Sequence, residues 1–180
     1  MASGSVGDVV GQLFAQHASV VYRYCRAQLT KEEAEDVTSE VFIVAYHKAS
    51  QIPADAAKAW LLGVARKLMA NHHRSAKRRR ALAYKISLNA PSAALPDLAG
   101  SVARADLARQ AMARLSQRDR EVLWLAATEN LSLTELGKAL GVSAKGAHMR
   151  LTRARQHLAE ALASLEEDAL AEPAMRGALL

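Results

Sequence analysis

Residues 132–155 read Ser132-Leu-Thr-Glu-Leu-Gly-Lys-Ala-Leu-Gly-Val-Ser-Ala-Lys-Gly-Ala-His-Met-Arg-Leu-Thr-Arg-Ala-Arg155, and this stretch decides the fold. Ser132 followed three residues on by Glu135 is a capping box, in which hydroxyl and carboxylate satisfy the first free amides of a helix. Leu133, Leu136, Ala139 and Leu140 then fall on one apolar face. Gly141 supplies a residue that tolerates a left-handed backbone at a helix end, and Ser143 caps the helix that follows. Two helices joined by Gly141-Val-Ser143 have the short glycine-containing connection of a helix-turn-helix, whose second helix enters the DNA major groove. In that second helix Ala147, Leu151, Ala154 and Leu158 share one face, while Lys145, Met149, Thr152 and Gln156 lie opposite, flanked by His148 and Arg153. The outward face is equipped to touch DNA: Arg150, Arg153 and Arg155 can neutralise phosphates. Met149 and Thr152 can reach a thymine methyl, and Lys145 or His148 can donate to guanine. The plain alternative is a helical hairpin with a solvated basic face, and four Lys/Arg without one acid over 143–157 weigh against it.

Upstream of this motif, Ser116 with Asp119 three residues later opens a helix carrying Val122, Leu123 and Leu125, which Asn130 ends. Val102, Leu107, Ala111 and Leu115 mark another helix before it. Between residues 86 and 100, Ser, Asn, Ala, Pro91 and Pro96 interrupt any periodic pattern and read as a linker. The N-terminal part is a separate helical unit. Val6, Val9, Val10, Leu13, Phe14, Val20, Val21, Tyr24 and Cys25 form one stripe at helical spacing. Thr30 and Glu33 make a second capping box, predicting a helix from about Lys31 with Val37, Val41, Val44 and Ala45 buried. Asp55 is expected to cap a third helix, with Trp60, Leu61, Val64, Ala65, Leu68 and Met69 inside and Arg74, Lys77, Arg78, Arg79 and Arg80 toward its far end. Past Ser164 the chain is acidic, and Pro173 argues against a continued helix.

Composition agrees with helices. Of 180 residues 38 are Ala and only 4% are aromatic, so the 51% hydrophobic content suits close helix packing better than a sheet sandwich. The fold expected is all-α: two small helical domains on a flexible linker, the second holding the helix-turn-helix. The formal charge of +6 is unevenly spread: residues 56–96 hold nine Lys/Arg and 143–157 hold four, with no acid in either run, so the remainder sums to −7. Two cationic patches on an otherwise acidic chain point to a polyanion, nucleic acid first and an anionic membrane surface second. Asp36 and Glu40 are a like-charge pair one helical turn apart, costing the helix about 0.2–0.5 kcal/mol, which leaves a basic partner and simple solvation both open.

Other function classes find little support. No glycine-rich phosphate loop, spaced metal-ligand set or nucleophile elbow is present, so no catalytic residue, cofactor or metal is expected. The adjacent His72-His73 pair is a weak ligand candidate, His17 reads as an ordinary helix residue, and Cys25 lies on an apolar stripe as an inert buried thiol. A lone cysteine and the lack of a leader-like or membrane-length apolar run fit a cytoplasmic chain without membrane insertion.

The order of motifs Ala34-Glu-Asp-Val-Thr-Ser-Glu-Val-Phe42, Lys58-Ala-Trp-Leu-Leu-Gly-Val-Ala-Arg66 running into the arginine cluster, Leu115-Ser-Gln-Arg-Asp-Arg-Glu-Val-Leu123, and Gly141-Val-Ser through Arg150-Leu-Thr-Arg-Ala-Arg155 resembles the extracytoplasmic-function sigma factors of the sigma-70 family, over roughly residues 10–163. The resemblance implies a promoter-specificity subunit of bacterial RNA polymerase, with a region-two domain at 1–84, a linker at 85–100, a region-four domain at 101–163 and an acidic tail at 164–180. It implies that Asp36, Thr38, Ser39, Glu40 and Phe42 dock on the clamp helices of the largest polymerase subunit. Lys58, Arg66, Lys67, Asn71, Arg74, Lys77, Arg78, Arg79 and Arg80 would contact the minus-10 element, where the segment from Gln51 onward captures flipped bases. Ser143, Lys145, His148, Met149, Arg150, Thr152, Arg153 and Arg155 would read the minus-35 element. The implied partners are core polymerase, through its clamp helices and flap region, promoter DNA, and an anti-sigma factor that masks the polymerase-binding faces. Ala57, where the family often has an aromatic three residues before the tryptophan, and His148-Met149, where Lys/Arg-Ser is common, depart from the pattern, so a relative's promoter sequence cannot be carried over. A helix-turn-helix regulator acting on duplex DNA without replacing sigma is the competing reading. The acidic-then-basic arrangement of residues 32–80 is the feature a dimerisation module would not need.

Overall fold

The computed structural model describes residues 5–83 and 102–177, with side chains described over 5–74 and 106–168. Seven α-helices occur in the described residues: α1 Val6–Arg26, α2 Lys31–His47, α3 Ala57–Ala83, α4 Val102–Arg114, α5 Gln117–Thr128, α6 Leu133–Leu140 and α7 Ala144–Gly177. Two single 3-10 turns, Ala49–Gln51 and Ala54–Ala56, lead from α2 to α3. No strand occurs among the described residues, and the chain is all-α. The 86–100 linker lies outside them.

Local chemistry sets the helix starts. Thr30 and Glu33 close their capping box, Glu33 N–H donating to Thr30 Oγ1 at 3.3 Å and Thr30 N–H to Glu33 Oε2 at 3.1 Å. Ser132 and Glu135 do the same for α6, and Ser116 caps α5 through the Asp119 amide at 3.2 Å. Ser5 and Asp8 make a further box at α1 that the sequence reading did not name. Each such cap stabilises its helix by about 1 kcal/mol.

One compact unit holds α1, α2, α3 and α6, and a second holds α4, α5 and α7 from Lys145 on. In the first, Val21, Tyr24 and Cys25 of α1 meet Ala34, Val37, Val41 and Ala45 of α2 and Leu61, Leu62, Ala65 and Met69 of α3, all fully or almost fully buried. The turn between α1 and α2 is fastened by Arg26, whose Nη1 donates to the Leu29 carbonyl at 2.6 Å. The α1 stripe is only partly inside: Val6, Val9 and Phe14 are exposed, because the turns that carry Val10, Val21, Tyr24 and Cys25 inward already fill the contact with α2 and α3. Asp55 does not cap α3. Pro53 starts a 3-10 turn that places Asp55 inside the helical run, and its carboxylate instead lies 3.7 Å from Lys138 Nζ.

In the second unit Ala111, Leu115, Val122, Leu125, Ala147, Leu151, Ala154 and Leu165 form the core. Arg120 Nη1 donates to the Leu115 carbonyl at 2.6 Å, and His157 Nδ1 lies 3.1 Å from Asp119 Oδ2, joining α7 to the first turn of α5. The chain past Ser164 continues as helix through Pro173, against the expectation from that proline. A missing N–H removes one bond without ending a helix whose neighbouring bonds persist. Arg114 also ties this part of α7 down, donating to Ser164 Oγ at 2.9 Å and to Asp168 Oδ2 at 3.2 Å.

Candidate nucleic-acid interface

The acidic face belongs to α2. Asp36, Ser39 and Glu40 are exposed, with Ser39 Oγ donating to the Glu35 carbonyl at 3.0 Å. Thr38 and Phe42 point the other way. The Thr38 hydroxyl donates to the Ala34 carbonyl at 2.6 Å and is buried; the Phe42 ring is buried and packs edge-on against Phe14 at a centroid distance of 4.9 Å. The five residues named from the resemblance therefore split into an outward set of three and an inward pair that fixes how α2 sits. The same outward face carries Ile43 and Tyr46, 57% and 53% exposed, which the sequence reading passed over. Their signal was available, since Ile43 stands three residues past Glu40 and seven past Asp36.

On α3, Lys67, Asn71 and Arg74 are exposed and Lys58 and Arg66 half-buried. Arg74 Nη2 donates to Asn71 Oδ1 at 2.5 Å, bracing two of the candidate DNA contacts. Lys77, Arg78, Arg79 and Arg80 continue α3, and their side chains lie outside the described residues. A groove of about 600 Å³ runs along this helix, lined by Gln51, Pro53, Trp60, Gly63, Arg66 and Lys67 among others. His72 faces away from it, with Nδ1 3.8 Å from Glu33 Oε1. Burial works against ionisation of Glu33, but hydrogen bonds from Thr30 and then the charges of His72 and His73 hold its carboxyl below the ordinary value.

The turn into α7 is built by glycine. Gly141 sits at φ 67°, its N–H reaching the Lys138 carbonyl at 3.3 Å while Val142 N–H reaches Gly137 O at 2.9 Å. This pair of bonds is a Schellman closure. Along α7, Ala147, Leu151 and Ala154 are buried while Lys145, His148, Met149, Arg150, Thr152, Arg153 and Arg155 are all exposed, with Ser143 just before the helix. His148, Met149, Thr152 and Arg153 line a shallow apolar depression, a shape suited to a methyl-bearing base edge. Met149 is 46% exposed and forms part of this apolar depression.

Other chemistry is thin. Burial pushes the Cys25 thiol up to about 11, against a smaller opposing hydrogen bond involving Thr38. No group of three His, Cys, Asp or Glu able to hold a metal occurs among the described residues, and no helix there is long and apolar enough to cross a membrane.

Comparison with known proteins places the chain in a family. Sigma-70 region 2 matches residues 13–79 and Sigma-70, region 4, matches residues 105–158, in that order, and together they span two thirds of the chain. The chain belongs to the sigma-70 family, within its extracytoplasmic-function type. It is 28% identical over 146 residues to the ECF RNA polymerase sigma factor SigL of Mycobacterium tuberculosis, covering 79% of this chain and 82% of that protein. It is 29% identical over 168 residues to the RNA polymerase sigma factor CnrH of Cupriavidus metallidurans, covering 84% and 85%. The sigma factor RpoE of Bartonella quintana, solved in complex with the anti-sigma factor NepR, superposes with a TM-score of 0.66 at 21% identity over 84% of this chain and 95% of that one, a likeness of fold. The chain is thus a sigma factor, which binds core RNA polymerase and directs initiation at particular promoters.

Proposed function

We propose that this sigma factor divides its work among three faces. Asp36, Ser39 and Glu40, with Ile43 beside them, dock on the clamp helices of the largest polymerase subunit, and Thr38 and Phe42 set the angle of α2 from within. Lys58, Arg66, Lys67, Asn71 and Arg74, with Lys77, Arg78, Arg79 and Arg80 beyond, hold the minus-10 element. Ser143, Lys145, His148, Met149, Arg150, Thr152, Arg153 and Arg155 read the minus-35 element in the duplex major groove, with region four contacting the polymerase flap. The working domains are 1–84 and 101–163. The chain acts in the cytoplasm, carries no catalysis or cofactor of its own, and has an anti-sigma partner, as the similar RpoE has in its solved complex.

The observation that carries this reading is the sorting of α7: three small or apolar residues inward and seven exposed polar, basic or methionine side chains outward, none of them acidic. Sequencing transcripts made in vitro by this chain with core polymerase on its own genomic DNA tests it. Start sites are expected to share two upstream elements at fixed spacing. Absence of initiation, or start sites with nothing in common, refutes the reading, and tight duplex binding without polymerase would favour a stand-alone regulator.

A further inference from the structure

The outward side of α7 carries one feature that charge does not explain. His148 and Thr152 stand one helical turn apart, as do Met149 and Arg153 in the neighbouring row, and the hollow between the two rows has a volume of about 230 Å³. Its surface is almost wholly apolar, so the carbon of these side chains faces outward there rather than their nitrogen and oxygen. All four side chains are exposed. Met149 brings a thioether that donates nothing and accepts only weakly, and Arg153 brings its stem, which leaves the guanidinium to a phosphate. Lys145, Arg150 and Arg155 are also exposed on this helix, and 143–157 holds no acid, so a polyanion is the surface this hollow meets. Gln156, the one amide side chain in that run, has the fork that pairs with adenine. It donates instead to Glu160 Oε1 at 3.0 Å.

In the major groove thymine shows an acceptor at O4 and a methyl at C5, while cytosine shows a donor at N4 and no methyl. An apolar hollow does not tell the acceptor from the donor. It does tell a methyl from a hydrogen, because only the methyl fills it with carbon and leaves the water. The Thr152 hydroxyl at its edge both donates and accepts, and so suits O4 and N4 alike. We infer that the hollow between His148, Met149, Thr152 and Arg153 is a receptor for the C5 methyl of a pyrimidine, and reads that methyl on whichever pyrimidine carries it. A cytosine methylated at C5 then makes the contact that thymine makes, so methylation of the upstream element strengthens recognition at that position. This rests on the reading of α7 as the helix that enters the major groove at the minus-35 element.

The test uses the full-length chain with core polymerase on promoter duplexes altered at one pyrimidine of the upstream element at a time. Two matched pairs differ by the methyl alone: thymine against uracil opposite adenine, and 5-methylcytosine against cytosine opposite guanine. At one position, loss of the methyl is expected to weaken binding about threefold to fivefold in both pairs, the scale of burying one methyl group. Met149→Ser should abolish the methyl preference in both, and Met149→Leu, which restores an apolar wall, should keep it. Neither should alter the helical circular dichroism, since this side chain is exposed. Uracil bound as tightly as thymine at every position overturns the inference. So does a position where uracil weakens binding while cytosine and 5-methylcytosine bind equally, and so does a full preference in Met149→Ser. A holoenzyme indifferent to scrambling of the whole upstream element instead refutes the minus-35 reading on which this rests.

Discussion

Replacing Gly137 by alanine tests whether the turn before α7 is as tight as its geometry states. A Cβ on Gly137 would sit 2.8 Å from the Val142 carbonyl oxygen and 3.2 Å from both Ala144 N and Ser143 C. All three are backbone atoms, so no side chain can swing aside and the turn itself must open. Overpacking of this kind costs about 1–3 kcal/mol. Opening also strains the Val142 N–H to Gly137 O bond of 2.9 Å, worth about 1 kcal/mol net. Against this stands a gain of about 1 kcal/mol in helix propensity, since alanine suits a helix interior better than glycine. The balance is a loss of about 1–3 kcal/mol. With a urea dependence of about 1–3 kcal/mol per molar for a small domain, the midpoint should fall by about 1 M. The assay is urea unfolding of the full chain, with hydrogen exchange of the 142–144 amides as the local reading, where protection should drop. Gly11→Ala is the matched control: an added Cβ there meets nothing within 4 Å, so only propensity acts and stability should rise by about 1 kcal/mol. A Gly137→Ala chain that is as stable as wild type, with unaltered exchange at 142–144, refutes the reasoning.

Charge reversal of Asp36 and Glu40 together should weaken binding to core polymerase at least tenfold in a pull-down titration while leaving the helical signal intact; unaltered binding removes α2 from the interface. Promoter affinity of the holoenzyme should fall with salt, and if the two basic runs neutralise about eight phosphates the region contributes a log–log slope of roughly −7. Glu33, Asp119 and Glu135 are all held below their ordinary values of 4.5, 3.8 and 4.5. The stability they contribute is complete above those values and is lost as pH falls through the lowered ones, so urea midpoints should drop below about pH 4 and the Glu135→Gln chain should show a shallower acid limb. Cys25 should resist a thiol reagent at pH 8 in the native chain and react at once in denaturant, since burial raises its thiol to about 11; rapid native labelling would show that α1 does not pack as described.

Local chemistry was the legible part of this fold. Each helix start fixed by a hydroxyl and an acid three residues on, at Thr30, Ser116 and Ser132, stands where the sequence places it, as does the left-handed Gly141, because these interactions span less than one turn. What failed needed information from further away. Asp55 has the composition of a cap, but Pro53 shifts the first helical turn past it and Lys138, far along the chain, takes its carboxylate. Phe14 falls on the α1 apolar stripe, yet its ring ends half in solvent because Phe42 receives only its edge. The outward basic side chains of α3 and α7 were readable as patterns of charge. The glycine at 63 was not, since nothing near it in sequence says that Ala139 approaches there.

The same helix geometry explains why α2 can serve both core and surface. At 100° per residue, Ala34, Val37, Val41 and Ala45 close one side against α1 and α3, which leaves Asp36, Ser39, Glu40 and Ile43 together on the other. The Asp36–Glu40 repulsion is tolerable in water, at about 0.2–0.5 kcal/mol, and becomes favourable once a cationic surface approaches. An apolar Ile43 beside them adds contact area that charge alone lacks. Within the folded chain Lys31 reaches Glu35 at 4.0 Å, and among the described residues neither Asp36 nor Glu40 is held in an ion pair, which leaves these acids and the exposed Ile43 available to another protein.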